Sequence, residues 1–247
     1  MSTLFVAWQA PDPTRAWFPI GRLDASPDRR DYVFQYTRGA LRAHDRAGFE
    51  PLIAFPSFEQ RYQAGELFPL FKNRVLEPNR KDFEEYLQWL DMDRAHADPI
   101  EILGLTGGER QTDSLEVFPM VRKLPDGTVR CRFFLHGLRH VSPAARERAE
   151  HLKENEALQV AIELNNPATA YAAQLQTADC HLIGWAPRYL VNDLLVALRE
   201  HSTVTATVKR INRLDAPFAR RVIVELSGGV PPSFEPMTSD EYHVISI

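Results

Sequence analysis

The chain has 247 residues, a formal net charge of −4, 44% hydrophobic residues and 25% charged residues. That length allows one or two domains, and the composition is that of an ordinary globular protein, which excludes general disorder. No apolar run approaches the ~20 residues of a membrane helix, no basic-then-apolar leader opens the chain, and Cys131 and Cys180 alone cannot build a disulfide framework, so a cytoplasmic protein without a membrane partner is expected.

The N-terminal third reads as short strands over residues 4–8, 17–23 and 31–37, the last with Tyr32, Phe34 and Tyr36 on one face. A helix follows. Asn79 suits its N-cap, Asp82, Glu84 and Glu85 suit its first turn, and Phe83, Tyr86, Leu87 and Leu90 share one side. Asp98 and Pro99 open a second helix, which Gly107 and Gly108 stop.

From Ser114 the apolar period returns to two. Residues 115–121 and 129–135 flank Pro125-Asp126-Gly127, a hairpin signal, since Pro presets one turn dihedral and Gly accepts a positive one. Ser142-Pro143 opens a helix with Ala145, Ala149 and Leu152 on one face. Residues 157–164 read as a strand, 174–183 as a hairpin turning near Ala178-Asp179, and 189–200 as a helix with Leu190, Leu194, Ala197 and Leu198 inward. Alternation of Val204, Ala206 and Val208, then of Val222, Val224 and Leu226, gives two more strands. The tail is Pro-rich and acidic and reads as loosely ordered. The predicted class is α+β: a small α+β domain over residues 1–113, a small SH3- or OB-like β-barrel with two helices over 114–228, and a tail over 229–247.

Three short motifs stand in order in the second half. They are Phe134-Leu135-His136-Gly137-Leu138-Arg139-His140, a strand ending in Asn165-Asn166-Pro167, and Ile183-Gly184-Trp185-Ala186-Pro187-Arg188. This order resembles the HIRAN domain, over about residues 130–212. The resemblance implies a small barrel that reads single-stranded DNA with a free 3′ end. It implies Arg139 and His140 as nucleotide contacts, Asn165 and Asn166 as the paired asparagines of a loop, and Trp185 as the residue after the glycine of a Gly-aromatic-x-Pro turn, with Arg188 closing that motif. The family's loop acid, which would hold the terminal hydroxyl, is replaced by Thr169, and Tyr171 stands in for its missing aromatic. The residue chemistry agrees: a guanidinium can clamp a phosphate with two donors, an asparagine both donates and accepts, and an indole offers a stacking face. Of the 29 basic residues 24 are arginine, which suits such bidentate contacts. Lys209, Arg210, Arg213, Arg220 and Arg221 flank the last hairpin and make a candidate phosphate track.

In the first half, Gly21-Arg22-Leu23, Tyr32-Val33-Phe34-Gln35-Tyr36, Phe49-Glu50-Pro51-Leu52 and Phe68-Pro69-Leu70-Phe71-Lys72-Asn73-Arg74 look like the first, non-catalytic subdomain of HipA-type kinases. That resemblance implies protein contacts. No Gly-x-Ser-x-Gly, Walker loop or dinucleotide fingerprint is present. Cys131, His136 and His140 fall short of the four converging ligands that zinc takes. The expectation is a non-enzymatic protein that binds single-stranded DNA or DNA ends, with no cofactor and no metal, and with a protein partner for its N-terminal half. The alternatives are an antitoxin-like interaction adaptor in which DNA binding is lost, and an accessory domain of a helicase-type nucleotide-hydrolysing assembly.

Overall fold

Leu4, Phe5, Val6 and Ala7 are consecutive and all buried, so their strand must be covered on both faces. In the computed structural model, which describes residues 2–108, 110, 113–167, 169–199 and 203–245, they lie inside an antiparallel sheet. Its strands are β1 (Ser2–Gln9), β2 (Trp17–Ser26), β3 (Asp31–Tyr36), β4 (Tyr62–Ala64) and β5 (Leu115–Pro119), in the order β4-β3-β2-β1-β5. One face meets α1 (Arg38–Ala47), α2 (Pro69–Lys72) and an aromatic cluster in which Phe34 and Phe55 stack at 4.0 Å. The Tyr36 hydroxyl donates to the Phe55 carbonyl (2.8 Å) and accepts from the Leu52 amide (2.7 Å), which pins the loop between α1 and β4. After α3 (Phe83–Leu90) comes α4 (Pro99–Thr106). The Asp98 carboxylate caps α4 by accepting from the Ile100 amide at 2.9 Å, as its sequence predicts.

The second sheet holds β6 (Thr128–Phe134), β7 (Ala157–Asn166), β8 (Ala170–Gln176), β9 (Leu182–Trp185), β10 (Val204–Ile211) and β11 (Val222–Gly229), in the order β6-β11-β10-β7-β8-β9. Its two outer strands meet. Beyond the end of β6, the His136 amide donates to the Trp185 carbonyl (3.0 Å) and the Trp185 amide returns a bond to the His136 carbonyl (2.9 Å). The sheet thus closes into a small barrel, with Phe133, Ala173, Leu175, Ile183, Val208 and Val224 buried. Helices α5 (Pro143–Glu150) and α6 (Val191–Arg199) complete this part. Both halves combine helices and strands, so the protein is α+β. Among the described residues no helix is long and apolar enough to cross a membrane.

The chain divides into two compact units. The first is Met1–Glu84, Arg94–Met120 and Met237–Ile247; the second is Glu85–Asp93 and Val121–Pro236. Four expectations need correction. Residues 115–119 do not form a hairpin with β6. The Pro125-Asp126-Gly127 turn is present, with the Gly127 amide bonded to the Leu124 carbonyl at 2.9 Å, but β5 pairs with β1, more than a hundred residues earlier. The boundary accordingly falls after Met120 rather than Asp113. The tail is not loose. Lys123 Nζ donates to the carbonyls of Pro232 (2.7 Å) and Phe234 (3.1 Å), Tyr242 is buried with its ring 4.8 Å from that of Phe5, and the Ile245 amide bonds to the Tyr36 carbonyl at 2.9 Å. Finally, residues 85–93 join the second unit, where Asn212 Nδ2 donates to the Trp89 carbonyl at 2.8 Å. Glu200, the predicted end of the α6 helix, lies outside the described residues, as does the side chain of Leu198.

Candidate nucleic-acid interface

The motif residues meet where β7, β8 and β9 run side by side. Glu163 pairs with Ala172, Ala161 with Gln174, and Gln174 with Trp185. Side chains alternate along a strand, so Glu163, Gln174 and Trp185 share one face, while Ile162, Ala173 and Leu175 share the other. On that first face a single carboxylate oxygen, Glu163 Oε2, accepts from Trp185 Nε1 (3.0 Å), Asn166 Nδ2 (3.0 Å) and Gln174 Nε2 (3.1 Å). The Asn166 amide, then the Trp185 indole N–H, then the Gln174 amide hold the Glu163 carboxyl below the usual range. Glu163 Oε1 has no partner among the described residues.

Two glycines make this possible. A Cβ on Gly137 would stand 2.5 Å from the indole ring, so the six-membered ring of Trp185 lies directly over its backbone. Gly137 also has φ +75°, a region that favours glycine. A Cβ on Gly184 would stand 2.4 Å from the His136 carbonyl oxygen, so the closing pair of the barrel needs a glycine there too. The indole is half-buried, with one side laid on Gly137 and its N–H held by Glu163.

The turn after Gly137, residues 138–140, exposes Arg139 and His140, and Arg139 Nε donates to His140 Nε2 at 2.9 Å. That turn lies against β9 and also against the turn 218–220 beside β11. Asn165 is exposed, without a side-chain partner among the described residues. Asn166 is a scaffold: one end of its amide holds Glu163, and its Oδ1 accepts from the Thr169 amide (3.1 Å) and hydroxyl (3.0 Å). The Thr169 hydroxyl also lies 2.7 Å from the Tyr171 carbonyl, so its one proton is shared between that carbonyl and Asn166 Oδ1. Ala168, beside it, lies outside the described residues. Arg188 is half-buried in the turn that follows β9.

Other expected contacts lie elsewhere. Tyr171 is exposed, but its register puts it on the face opposite Gln174 and Trp185, since strand positions alternate. Lys209 and Arg210 stand near the start of β7, where Ala157 and Leu158 pair with Thr207 and Ala206. Asn166 is at the other end of that strand, about 30 Å away along it. Their charges are matched as well. Lys209 Nζ is 3.2 Å from Glu225 Oε1, and Asp91 holds both Arg210 (3.2 Å) and Arg132 (2.6 Å). Of the predicted basic track, Arg221 donates to the carbonyls of Ala216 and Leu214. Sequence reasoning missed Glu163 and Gln174; only the strand register brings them under the indole. Among the described residues no group of three His, Cys, Asp or Glu is close enough to hold a metal ion.

No family model matches the chain, and no curated protein matches it. Two solved structures resemble part of it. A protein from Lactobacillus plantarum, 14% identical, matches over 41% of this chain and 97% of its own length, with a TM-score of 0.33. The HIRAN domain of human HLTF, 16% identical, matches over 42% of this chain and 79% of its own, with a TM-score of 0.30.

Proposed function

We propose that the second unit binds single-stranded DNA or a DNA end and has no catalytic activity of its own. The observation that carries this reading is the Trp185 indole, held edge-on by Glu163 and backed by Gly137. A preset aromatic ring offers a base a stacking surface worth ~1–3 kcal/mol. Asn165 offers a donor and an acceptor to a base edge or sugar. Arg139, in the turn next to Gly137, offers a guanidinium to a phosphate.

Glu163 sharpens the reading. It supplies, from a strand, the carboxylate that the loop lacks with Thr169. Its free Oε1 accepts a hydroxyl proton and repels a phosphate. The reading is therefore of a site that prefers a strand ending in a hydroxyl.

The test is a titration of the full chain with labelled single-stranded DNA carrying a 3′-hydroxyl or a 3′-phosphate, at two salt concentrations. The hydroxyl end binds more tightly, Trp185→Ala weakens binding by ~1–3 kcal/mol, and Glu163→Gln removes the preference between ends. Failure of the wild type to bind either DNA overturns the reading. A second reading, a protein-interaction adaptor, draws support from the matched charges of Lys209, Arg210, Arg132, Glu225 and Asp91. For it, the first unit supplies the contact surface, where Ile53 stands fully exposed at a turn. Capture of a defined partner that survives nuclease treatment separates this reading from the first.

A further inference from the structure

A groove of about 550 Å³ opens in the second unit between α5 and the connection from β10 to β11. That volume is in the range of ligand sites. Its lining includes Leu138, Arg146, Arg213, Leu214, Phe218 and Arg221, with Glu147 and Glu150 as its acids. Leu138 links it to the site above. Gly137 lies under the Trp185 indole, and the next residue lines the groove, one Cα step of 3.8 Å further on. The turn 138–140 also touches the turn that carries Phe218.

The groove brings together exposed apolar side chains and accessible cations. Phe218 is 49% exposed and Leu214 65% exposed, so both offer apolar surface to the groove. The Arg221 guanidinium covers the Phe218 ring at 5.1 Å from its centre, which steadies the ring. Arg146 is exposed, with no side-chain partner among the described residues. Arg213 is 91% exposed, with only a 3.9 Å contact to Asp215. A single strand carries both bases and phosphates, and an aromatic face beside accessible guanidiniums suits both.

We propose that this groove carries the continuation of the strand whose end lies on Trp185, with a base against Phe218 and phosphates against Arg146 and Arg213. The proposal rests on the nucleic-acid reading above. An extended site of this kind binds longer oligonucleotides more tightly than the Trp185 site alone can.

The experiment uses oligothymidylates of about 4 and about 12 nucleotides, spanning the lower range of site sizes for small barrels, against the full chain. Arg146→Ala with Arg213→Ala leaves the short oligonucleotide unaffected, weakens the long one about tenfold, and flattens its salt dependence by about 1.4 in slope, two phosphates at ~0.7 each. Phe218→Ala weakens only the long one, also about tenfold. These positions are exposed, so the variants fold, and a thermal melt checks that. Unchanged affinity and slope for the long oligonucleotide, with Trp185→Ala still impaired, overturn the groove and leave the Trp185 reading standing. Absence of DNA binding by the wild type overturns both. Binding of a polyglutamate peptide that depends on Arg146 and Arg213, while DNA binding does not, overturns the proposal in favour of an acidic peptide.

Discussion

Arg74 in the first unit and Arg139 and Arg146 in the second are used in opposite ways. In the first, Arg74 has its side chain 1% exposed, donates to the carbonyls of Leu70 (3.1 Å) and Gly108 (2.7 Å), and pairs with Asp113. In the second, Arg139 meets only His140, and Arg146 meets nothing among the described residues. The carbonyl-and-hydroxyl chemistry follows the same division. Tyr36 has both roles of its hydroxyl filled inside the core, whereas Glu163 keeps one oxygen open at the surface. A polar group with every valence filled internally holds a fold together; one with a valence left over is available to something outside it. Arg74 and Tyr36 are of the first kind; Arg146 and the Oε1 atom of Glu163 are of the second.

The largest effect is expected at Arg74. Arg74→Ala leaves two carbonyls and Asp113 without their cation, and the expected cost is about 3 kcal/mol in denaturant unfolding, with DNA affinity unchanged once the protein is folded. Next is Gly137→Ala, which adds a Cβ 2.5 Å from the indole at a backbone of φ +75°. It costs about 2 kcal/mol and, unlike Arg74→Ala, also abolishes the binding that depends on Trp185.

Glu163 makes stability depend on pH. Its folded pKa is lowered, chiefly by Asn166. Its contribution to stability is therefore full above the ordinary glutamate value of ~4.3 and is lost as pH falls through the lower folded value. The melting temperature of the wild type accordingly drops relative to Glu163→Gln as the pH falls below the ordinary glutamate value, and the gap is constant above it. The smallest effect is at the β8–β9 turn. Asp179 is held at about 2 by the Thr177 hydroxyl and then by Arg148. In an NMR titration Arg148→Ala moves Asp179 partway back toward the ordinary ~3.9, the Thr177 bond remaining, and any loss of stability comes from Glu156, the half-buried carboxylate that Arg148 also holds.

The regular strands were legible because their apolar residues alternate: Val204, Ala206 and Val208 need no partner to be recognised. Helix α1 was not. Its buried residues are Gly39, Ala40 and Ala43, too small to write a hydrophobic stripe into Arg38–Ala47. The turn at Pro125-Asp126-Gly127 was legible as local chemistry, but the choice of β1 as the partner of β5 is a long-range packing decision that no neighbouring residue encodes. The tail misled for a related reason, because Met237 and Tyr242 are single apolar anchors amid polar sequence. At the candidate site, Trp185, Arg139 and the asparagines could be named from motif order. Glu163 and Gln174 could not, since an acid and an amide on an alternating strand look like any solvated face until the register with Trp185 is known.

The first unit is sewn from three separate stretches, and its last one includes residues 237–245. During synthesis the N-terminal strands emerge early but lack Tyr242 against Phe5 and Ile245 against Tyr36 until the ribosome has passed the whole barrel. The barrel's own pieces are all in hand once Pro236 has been added. The half that begins first is therefore the half that is completed last, although its Phe34–Phe55 cluster, drawn from residues before Lys72, does not wait for the tail.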